Sequence, residues 1–186
     1  GPNDHYLSFL PLSHSLERTA GFHGAIWMGA RTAFAEDITK LLDYFQEVRP
    51  TIIISVPRIY EKVHAGILAK VAGAPGLKKK IFNFAMRQAA KNLPHVCRDI
   101  PRSGLFAFKY NLADKLVLSK LKVALGMDKL RYAISGGAPL SQSDAEFFIG
   151  MGFKILEGFG LTETTPVTNF NRPWFIKPGT VGQPIP

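Results

Sequence analysis

Cysteine and long hydrophobic runs are nearly absent from this sequence. Cys97 is the single cysteine, so no disulfide can form within the chain, which fits a reducing compartment. The longest apolar runs, such as residues 52–54, are far too short to span a bilayer, and no signal-peptide pattern is visible. These absences exclude a disulfide framework and a membrane-spanning helix within the sequence.

The remaining composition is that of a folded globular domain. Apolar residues make up 46% of the 186 positions and charged residues 20%, which suits one domain with a substantial core. Gly1 and Pro2 have the pattern that is left when a protease removes a tag, and the chain continues at Asn3 without a start methionine. We therefore expect a piece of a longer protein.

Acidic residues are scarce in one central block of the chain. Residues 70–131 hold 14 Lys and Arg against 3 Asp and Glu, whereas the remainder holds 9 against 11. The net charge of +9 therefore comes from this block. Such a block can face an anionic membrane, a nucleic acid or a phosphorylated ligand, or it can be a solvated helical face. No aromatic stacking platform accompanies it, so we expect no nucleic-acid partner.

Three consecutive lysines, Lys78, Lys79 and Lys80, fall in the first turn of a predicted helix. Positive charge there opposes the helix dipole, which favours an anionic partner nearby. We expect these lysines to allow peripheral contact with an anionic membrane. The corresponding location is the cytoplasm, including the inner face of the membrane.

Strand and helix signals alternate along the chain, which predicts an α/β fold with a largely parallel sheet flanked by helices. Residues 51–56 are β-branched and apolar on both faces, so they predict a buried parallel strand, and Pro57 can begin the next helix. Ser141 is a predicted helix cap, and Trp27 and Trp174 are interpreted as packing residues. Other strands are predicted at residues 6–11, 31–35, 130–134, 153–156 and 167–170, further helices at about 38–49, 77–93 and 107–124, and a loop at 94–103.

Two glycine-containing loops are predicted to follow strands, at residues 135–140 and 157–165. In open α/β sheets, ligands bind outside the carboxyl ends of the strands. If the strands at 130–134 and 153–156 are parallel neighbours, both loops face one pocket. A glycine pair is common in turns, so this prediction depends on the two loops together.

The second loop combines groups that suit a phosphate, a metal ion and a base. Gly158 and Gly160 allow positive φ or the close approach of a ligand. The hydroxyl of Thr162 can donate to a phosphate oxygen, and the carboxylate of Glu163 is a hard oxygen ligand for Mg²⁺. Phe159 offers a flat face to a base. The alternative is a strand-end loop whose Thr and Glu only cap a turn.

Several segments resemble the adenylate-forming superfamily, which includes acyl-CoA synthetases, luciferases and peptide-synthetase adenylation domains. Residues 157–164, Glu-Gly-Phe-Gly-Leu-Thr-Glu-Thr, are similar to its signature loop. The long-chain acyl-CoA synthetase branch is indicated by four further segments, which follow in the expected order at residues 6–18, 57–63, 135–140 and 177–186.

The resemblance implies a ligase that activates a long-chain fatty acid with ATP and passes the acyl group to coenzyme A. By this resemblance, Thr162 would bind the α-phosphate, Glu163 would bind Mg²⁺, and Phe159 would stack on adenine. Family members usually have tyrosine in place of Phe159, so the ring face is kept and the hydroxyl is lost. The backbone around Glu157 and Gly158 would meet the edge of the base. The implied ATP or AMP contacts are Gly136, Gly137, Ala138, Glu157, Gly158, Phe159, Gly160 and Thr162.

His14 matches a histidine that the family places near the reacting carboxylate and the path of the coenzyme A thiol. A role in orientation or gating and a purely structural role both stay open. Some bacterial members have a tryptophan gate four residues later. This chain has Arg18 there, so the gate does not transfer.

The resemblance covers only part of the family's architecture. Residues 3–186 would be the central part of the large N-terminal domain, a partial subdomain with a basic helical insert at about residues 73–129. The upstream phosphate loop and the C-terminal domain are not in the sequence, so we expect the chain alone to be inactive. Two alternatives stay open: an adenylating enzyme for another carboxylic acid, and a non-catalytic module that docks on anionic membrane.

Overall fold

The computed structural model of this protein describes residues 1–185, which form a seven-stranded sheet. Its order is β2-β1-β3-β4-β5-β6-β7, with β1 (His5–Ser8), β2 (Arg31–Phe34), β3 (Ile52–Ser55), β4 (Tyr132–Ser135), β5 (Ile155–Gly160), β6 (Val167–Phe170) and β7 (Gln183–Pro184). Neighbouring strands from β2 to β5 are parallel, whereas β6 and β7 are added antiparallel at one edge. The prediction of an α/β fold with a largely parallel sheet is confirmed.

Helices connect the parallel strands and cover the sheet. Two π-helical segments, Leu16–His23 and Asp114–Leu118, continue directly into α-helices. Short 3-10 turns lie at Ile38–Lys40 and Thr162–Thr164. The α-helices are α1 (Gly24–Met28), α2 (Leu41–Val48), α3 (Pro57–Ala72), α4 (Gly76–Cys97), α5 (Gly104–Ala113), α6 (Ser119–Ala124) and α7 (Gln142–Gly150).

Successive side chains of the central strands face opposite sides of the sheet, as strand geometry requires. Ile53 and Ala133 belong to the main core, to which helices α2 to α7 contribute. Ile54 and Ile134, one residue further on, pack in a smaller cluster with Leu16 of the first π-helix. The main core therefore lies on one face of the sheet and the smaller cluster on the other.

Local sequence signals place several helix starts correctly. Pro57 occupies the first turn of α3, where its missing N–H costs no hydrogen bond. The Ser141 hydroxyl accepts a hydrogen bond from the backbone N–H of Asp144 at 3.1 Å, which is the predicted cap of α7. The buried strand predicted at residues 51–56 is confirmed as β3, in the middle of the parallel strands.

Pro94 does not end α4, so the loop predicted over residues 94–103 is wrong in its first part. The helix continues to Cys97, because Val96 and Cys97 are buried in the main core and the Asn92 side chain donates to a backbone carbonyl of α7 at 3.0 Å. These contacts offset the backbone hydrogen bond that proline cannot donate.

Trp27 and Trp174 are exposed, so their interpretation as packing residues is wrong for the described part of the chain. Their exposed fractions are 88% and 64%. Burial of an indole requires a large apolar surface on a neighbouring element. Neither ring finds such a surface among residues 1–185.

The basic segment, residues 73–129, contributes to the main core. Ala85, Ala89 and Ala113 are at most 1% exposed. The Tyr110 hydroxyl donates to a backbone carbonyl just after α7 at 3.2 Å, which links the segment to the helix that precedes β5. No helix among residues 1–185 is both long and apolar enough to cross a membrane.

Candidate functional site

An open cleft of about 440 Å³ lies at the carboxyl ends of β4 and β5. β4 ends at Ser135 and leads into Gly136 and Gly137, which line the cleft. β5 is its parallel neighbour, with Ser135 paired to Glu157, and residues 158–163 form another wall. The prediction that both glycine-containing segments share one pocket at the strand ends is confirmed.

The loop predicted at residues 157–165 is wrong in its first half, where β5 continues to Gly160. This half pairs antiparallel with β6, with Gly158 opposite Phe170. Neither Gly158 nor Gly160 has a positive φ. A Cβ atom on Gly160 would lie 1.5 Å from the carbonyl oxygen of Pro166, so glycine is required by the neighbouring chain itself.

Thr162 and Glu163 lie on a short 3-10 turn in the cleft wall. The Thr164 hydroxyl fixes this turn, because it accepts from the Leu161 N–H at 2.9 Å and donates to the Pro166 carbonyl oxygen at 2.8 Å. Thr162 and Glu163 themselves stay exposed. A hydroxyl and a carboxylate are thus held side by side where a phosphate and a cation can reach them.

Apolar side chains form most of the remaining cleft wall. Phe159 is 49% exposed there, so its ring is accessible to a flat ligand. Leu16 and Ala20 of the first π-helix and Phe170 of β6 extend the apolar lining. The stacking role of Phe159 stays a prediction.

Two residues predicted to contact nucleotide, Glu157 and Ala138, do not belong to the cleft lining among the described residues. Glu157 is 7% exposed, and its carboxylate accepts a hydrogen bond from the backbone N–H of Gly179 at 3.1 Å. Burial raises its pKa, while the N–H groups of Gly179 and Leu140 act in the opposite direction. The Glu157 side chain therefore anchors the turn at residues 177–182 to β5. Ala138 is exposed on the loop after β4.

Asn171 supports the site and was missed by sequence reasoning. It is 1% exposed; its amide donates to the Thr180 carbonyl oxygen at 2.6 Å, and its amide oxygen accepts from the Lys177 N–H at 3.0 Å. Its backbone N–H donates to the Glu157 carbonyl oxygen at 2.9 Å. One residue therefore joins β5 to the following turn. A lone asparagine after a strand gives no signal of this role.

His14 lines the cleft just before the first π-helix. Its Nδ1 accepts from the Leu16 N–H at 3.2 Å, and its carbonyl oxygen accepts from the Arg18 N–H at 3.0 Å. The structural role is therefore present. The hydrogen bond from Leu16 uses only Nδ1, and the ring lines the cleft. Nε2 can therefore contact a ligand while Nδ1 keeps its structural role.

Two buried polar groups near the cleft also escaped sequence reasoning. Glu17 is 0% exposed, and its Oε1 accepts from the hydroxyls of Tyr6 at 2.6 Å and Ser8 at 2.5 Å. The Ser135 hydroxyl is buried in the cleft wall, with no hydrogen-bond partner among the described residues. Their burial is set by tertiary packing, so the sequence carries no sign of it.

Glu163 is the one carboxylate in the cleft lining within the described part of the chain. Across residues 1–185, no group of three or more His, Cys, Asp or Glu side chains could hold a metal ion. Mg²⁺ is often bound by one or two carboxylates together with substrate phosphates. The exposed Glu163 beside Thr162 fits that shared mode of binding, in which the substrate brings most of the ligands.

The sequence is similar to known proteins along its whole length. The profile of the family described as AMP-binding enzyme matches residues 1–186. The long-chain-fatty-acid–CoA ligase FadD15 of Mycobacterium bovis is 39% identical over 186 residues, which cover 97% of this chain and 29% of that protein. The long-chain-fatty-acid–CoA ligase ACSBG2 of Homo sapiens is 38% identical over 164 residues, 86% of this chain and 24% of that protein. This chain spans less than a third of these curated relatives.

Solved structures share the fold. A benzoate CoA ligase from Burkholderia xenovorans LB400 matches with a TM-score of 0.58 at 21% identity, covering 100% of this chain and 28% of that one. A malonyl-CoA ligase in a ternary product complex with methylmalonyl-CoA and AMP matches with the same TM-score and identity, over 100% of this chain and 30% of that one. At such identities the likeness concerns the fold alone.

Proposed function

The chain belongs to the AMP-binding enzyme family, and on that premise we propose that it forms part of an ATP-dependent long-chain fatty-acid–CoA ligase. The observation that carries the proposal is the cleft in which Gly136 and Gly137 after β4 meet Thr162 and Glu163 after β5. The curated relatives support the substrate class. The complete reaction is proposed for the full-length protein that contains this chain.

In the proposed reaction, the fatty-acid carboxylate attacks the α-phosphate of ATP and pyrophosphate leaves, which gives an acyl-adenylate. The coenzyme A thiolate then attacks the acyl carbon and AMP leaves. The groups that meet in the first step are all anionic. Catalysis therefore depends on positioning and on positive charge rather than on a protein nucleophile.

The phosphate side of the cleft has the groups that this step needs. Thr162 donates a hydrogen bond to an oxygen of the α-phosphate, and Phe159 stacks on the adenine. Glu163 would hold Mg²⁺, and the ion would supply positive charge at the phosphates when it is bound. The adjacent positions of Thr162 and Glu163 on one fixed turn support this division of roles.

The acyl side is shaped by residues with little bulk. A Cβ atom on Gly136 would lie 3.3 Å from a methyl group of Leu16, so a larger residue would narrow the cleft. Gly137 has a φ of +83°, a conformation that favours glycine. His14 orients the reacting carboxylate through its Nε2 atom, while Nδ1 holds the local backbone.

The function is tested by measuring AMP release from the full-length protein with a ladder of carboxylic acids. We expect the highest kcat/KM for long-chain fatty acids. We expect Glu163→Ala to lower kcat by about 100-fold or more, because charge stabilisation at the phosphates is lost. The matched control is Glu61→Ala, an exposed glutamate on α3. Undiminished release in Glu163→Ala would remove Glu163 from this role.

A related reaction with another carboxylic acid is the runner-up. Its support is the apolar lining from Leu16, Ile134 and Phe170, which suits an aromatic or a shorter aliphatic acid as well as a long chain. The same ladder separates the two proposals. A clear preference for an aromatic or short acid would replace the long-chain substrate and would leave the adenylation chemistry unchanged.

We also propose peripheral contact with anionic membrane, on the cytoplasmic side, through Lys78, Lys79 and Lys80. Its support is their position in the first turn of α4, where no acidic residue offsets them. We expect the full-length protein to co-sediment with anionic vesicles and not with neutral ones, and the triple alanine variant to lose this binding. The matched control changes Lys91, Lys109 and Lys115, three lysines elsewhere in the basic segment, to alanine. If this control loses as much vesicle binding as the first triple variant, the proposed contact through residues 78–80 is contradicted.

A further inference from the structure

A second concave surface lies on the face of the sheet that carries the main core, away from the cleft. This helical groove, of about 850 Å³, is bounded by α2, α3, α4, α6 and the second π-helix. Apolar side chains such as Leu42, Ile67, Ile81 and Leu116 line most of it. Among the described residues, none that lines the groove also lines the cleft. The proposed ligase reaction therefore gives the groove no role.

Lysine is the only charged residue type in the described lining of the groove. Lys62, Lys70, Lys78 and Lys120 all line it and are all exposed. Lysine stems can lie along an apolar wall while the ammonium groups stay in water. An apolar interior with positive charge at its edge is complementary to a molecule that has an apolar chain and an anionic head.

Gly66 leaves unfilled space in the wall of the groove. It lies on α3 one turn from both Lys62 and Lys70, on the same face of the helix. A Cβ atom on Gly66 would meet nothing within 4 Å, so no close packing in the described residues requires glycine. Glycine in a helix interior is unfavourable. Its effect here is an unfilled space between two lysines.

We propose that the helical groove binds a free long-chain fatty acid as its carboxylate, at a site separate from the cleft. The acyl chain lies against the apolar wall past Gly66, and the carboxylate meets the ammonium groups of Lys62 and Lys70. The groove volume falls within the usual range for small-molecule pockets, about 300 to 1,000 Å³. A recess between helices suits a discrete single-chain molecule better than a flat bilayer surface. The proposal does not depend on the ligase reaction.

The shape of the groove is tested by titrating the full-length protein with palmitate while a saturating acyl-adenylate analogue occupies the cleft, so that the titration reports the groove alone. We expect Gly66→Leu to fill the open space and to weaken groove binding by about tenfold or more. The matched control is Ala65→Leu, which adds the same side chain to an exposed position of the same helix outside the lining and leaves the affinity unchanged. Urea denaturation of both variants reports whether they fold.

The charge of the groove is tested independently of its shape. We expect Lys62→Gln with Lys70→Gln to weaken palmitate binding by about tenfold, and methyl palmitate, which has no charge, to bind more weakly than palmitate. Lys91→Gln with Lys129→Gln is the matched control, because both lysines are exposed and lie outside the described lining of the groove.

Four results would overturn the proposal. The first is an affinity that is the same in Gly66→Leu and the wild type, and the second is methyl palmitate binding as tightly as palmitate. The third is displacement of palmitate by acidic phospholipid vesicles in a Gly66-dependent way, which would reassign the groove to membrane lipid. The fourth is a full-length protein that binds no palmitate at this site. AMP release is measured separately, so a failure of the ligase proposal is not mistaken for a failure here.

Discussion

Glu17 is a carboxyl group that the fold removes from water. It is 0% exposed, and its Oε2 has no hydrogen-bond partner among the described residues. Burial raises its pKa, although the hydroxyls of Ser8 and Tyr6 act in the opposite direction. Burial and the neighbouring carboxyl raise the pKa of Tyr6 as well. Glu17 links the first π-helix, whose Leu16 lines the cleft, to β1.

The raised pKa of Glu17 predicts a pH-dependent stability. The folded protein binds more protons than the unfolded one between the two pKa values, so the free energy of unfolding falls as pH rises through that window. The stabilising contribution is complete below the reference pKa of 4.5. We expect Glu17→Gln to remove this dependence. The free energy of unfolding of the variant should therefore increase relative to that of the wild type as pH rises from below 4.5 to neutral. Urea denaturation across that range measures it, and a pH-independent difference would contradict it.

At the scale of elements, β5 changes partners along its length. Ile155 and Leu156 pair parallel with β4, whereas Gly158 and Gly160 pair antiparallel with β6. The strand therefore runs directly into the turn that carries Thr162. The turn follows a strand that is paired with β4 in its first half and with β6 in its second half, which gives the cleft wall a more rigid support than a free loop would.

Gly160→Ala tests this support. The new Cβ atom would overlap the Pro166 carbonyl, so we expect the pairing of β5 with β6 to be disrupted, with a loss of about 1 to 3 kcal/mol in the free energy of unfolding and a loss of AMP release in the full-length protein. Gly76→Ala is the control, because a Cβ atom at the start of α4 meets nothing within 4 Å. A stable and active Gly160→Ala variant would show that the pairing of β6 does not position the turn.

At the scale of the whole molecule, the positively charged side chains lie away from the described lining of the cleft. The lysine- and arginine-rich residues 70–131 contribute to the main core and to the helical groove, whereas the described lining of the cleft contains neither Lys nor Arg. The proposed reaction brings a carboxylate to a triphosphate, which requires positive charge. Beyond the metal ion, that charge has to come from groups outside the lining.

This separation predicts that the 186-residue chain by itself does not catalyse the reaction. We expect no fatty-acid-dependent ATP–pyrophosphate exchange from the isolated chain and clear exchange from the full-length protein under the same conditions. Circular dichroism of the isolated chain confirms that the comparison is made on folded material. Exchange by the folded isolated chain would show that Thr162, Glu163 and Mg²⁺ are sufficient.

Local signals in the sequence predict much of the fold and the principal cleft segments. The β-branched run of β3, Pro57 at the start of α3 and the Ser141 cap act within a few residues, so the elements can be assigned without knowledge of their neighbours. The loops that carry Gly136 and Thr162 line one cleft, as the sequence predicts, because parallel neighbouring strands place their carboxyl ends at one edge of the sheet.

The tertiary structure decided what depends on partners that are distant in the chain. The extension of β5 through Gly160 depends on β6, the continuation of α4 past Pro94 depends on burial and on α7, and the burial of Glu17 depends on β1. The helical groove likewise joins helices whose residues are far apart in sequence. The sequence by itself determined where most strands, helices and ligand-facing turns form, because these preferences are local, but it did not determine where β5 and α4 end. Only the packed chain determined which polar groups lose water and which surfaces stay open, because burial is a property of the assembled elements.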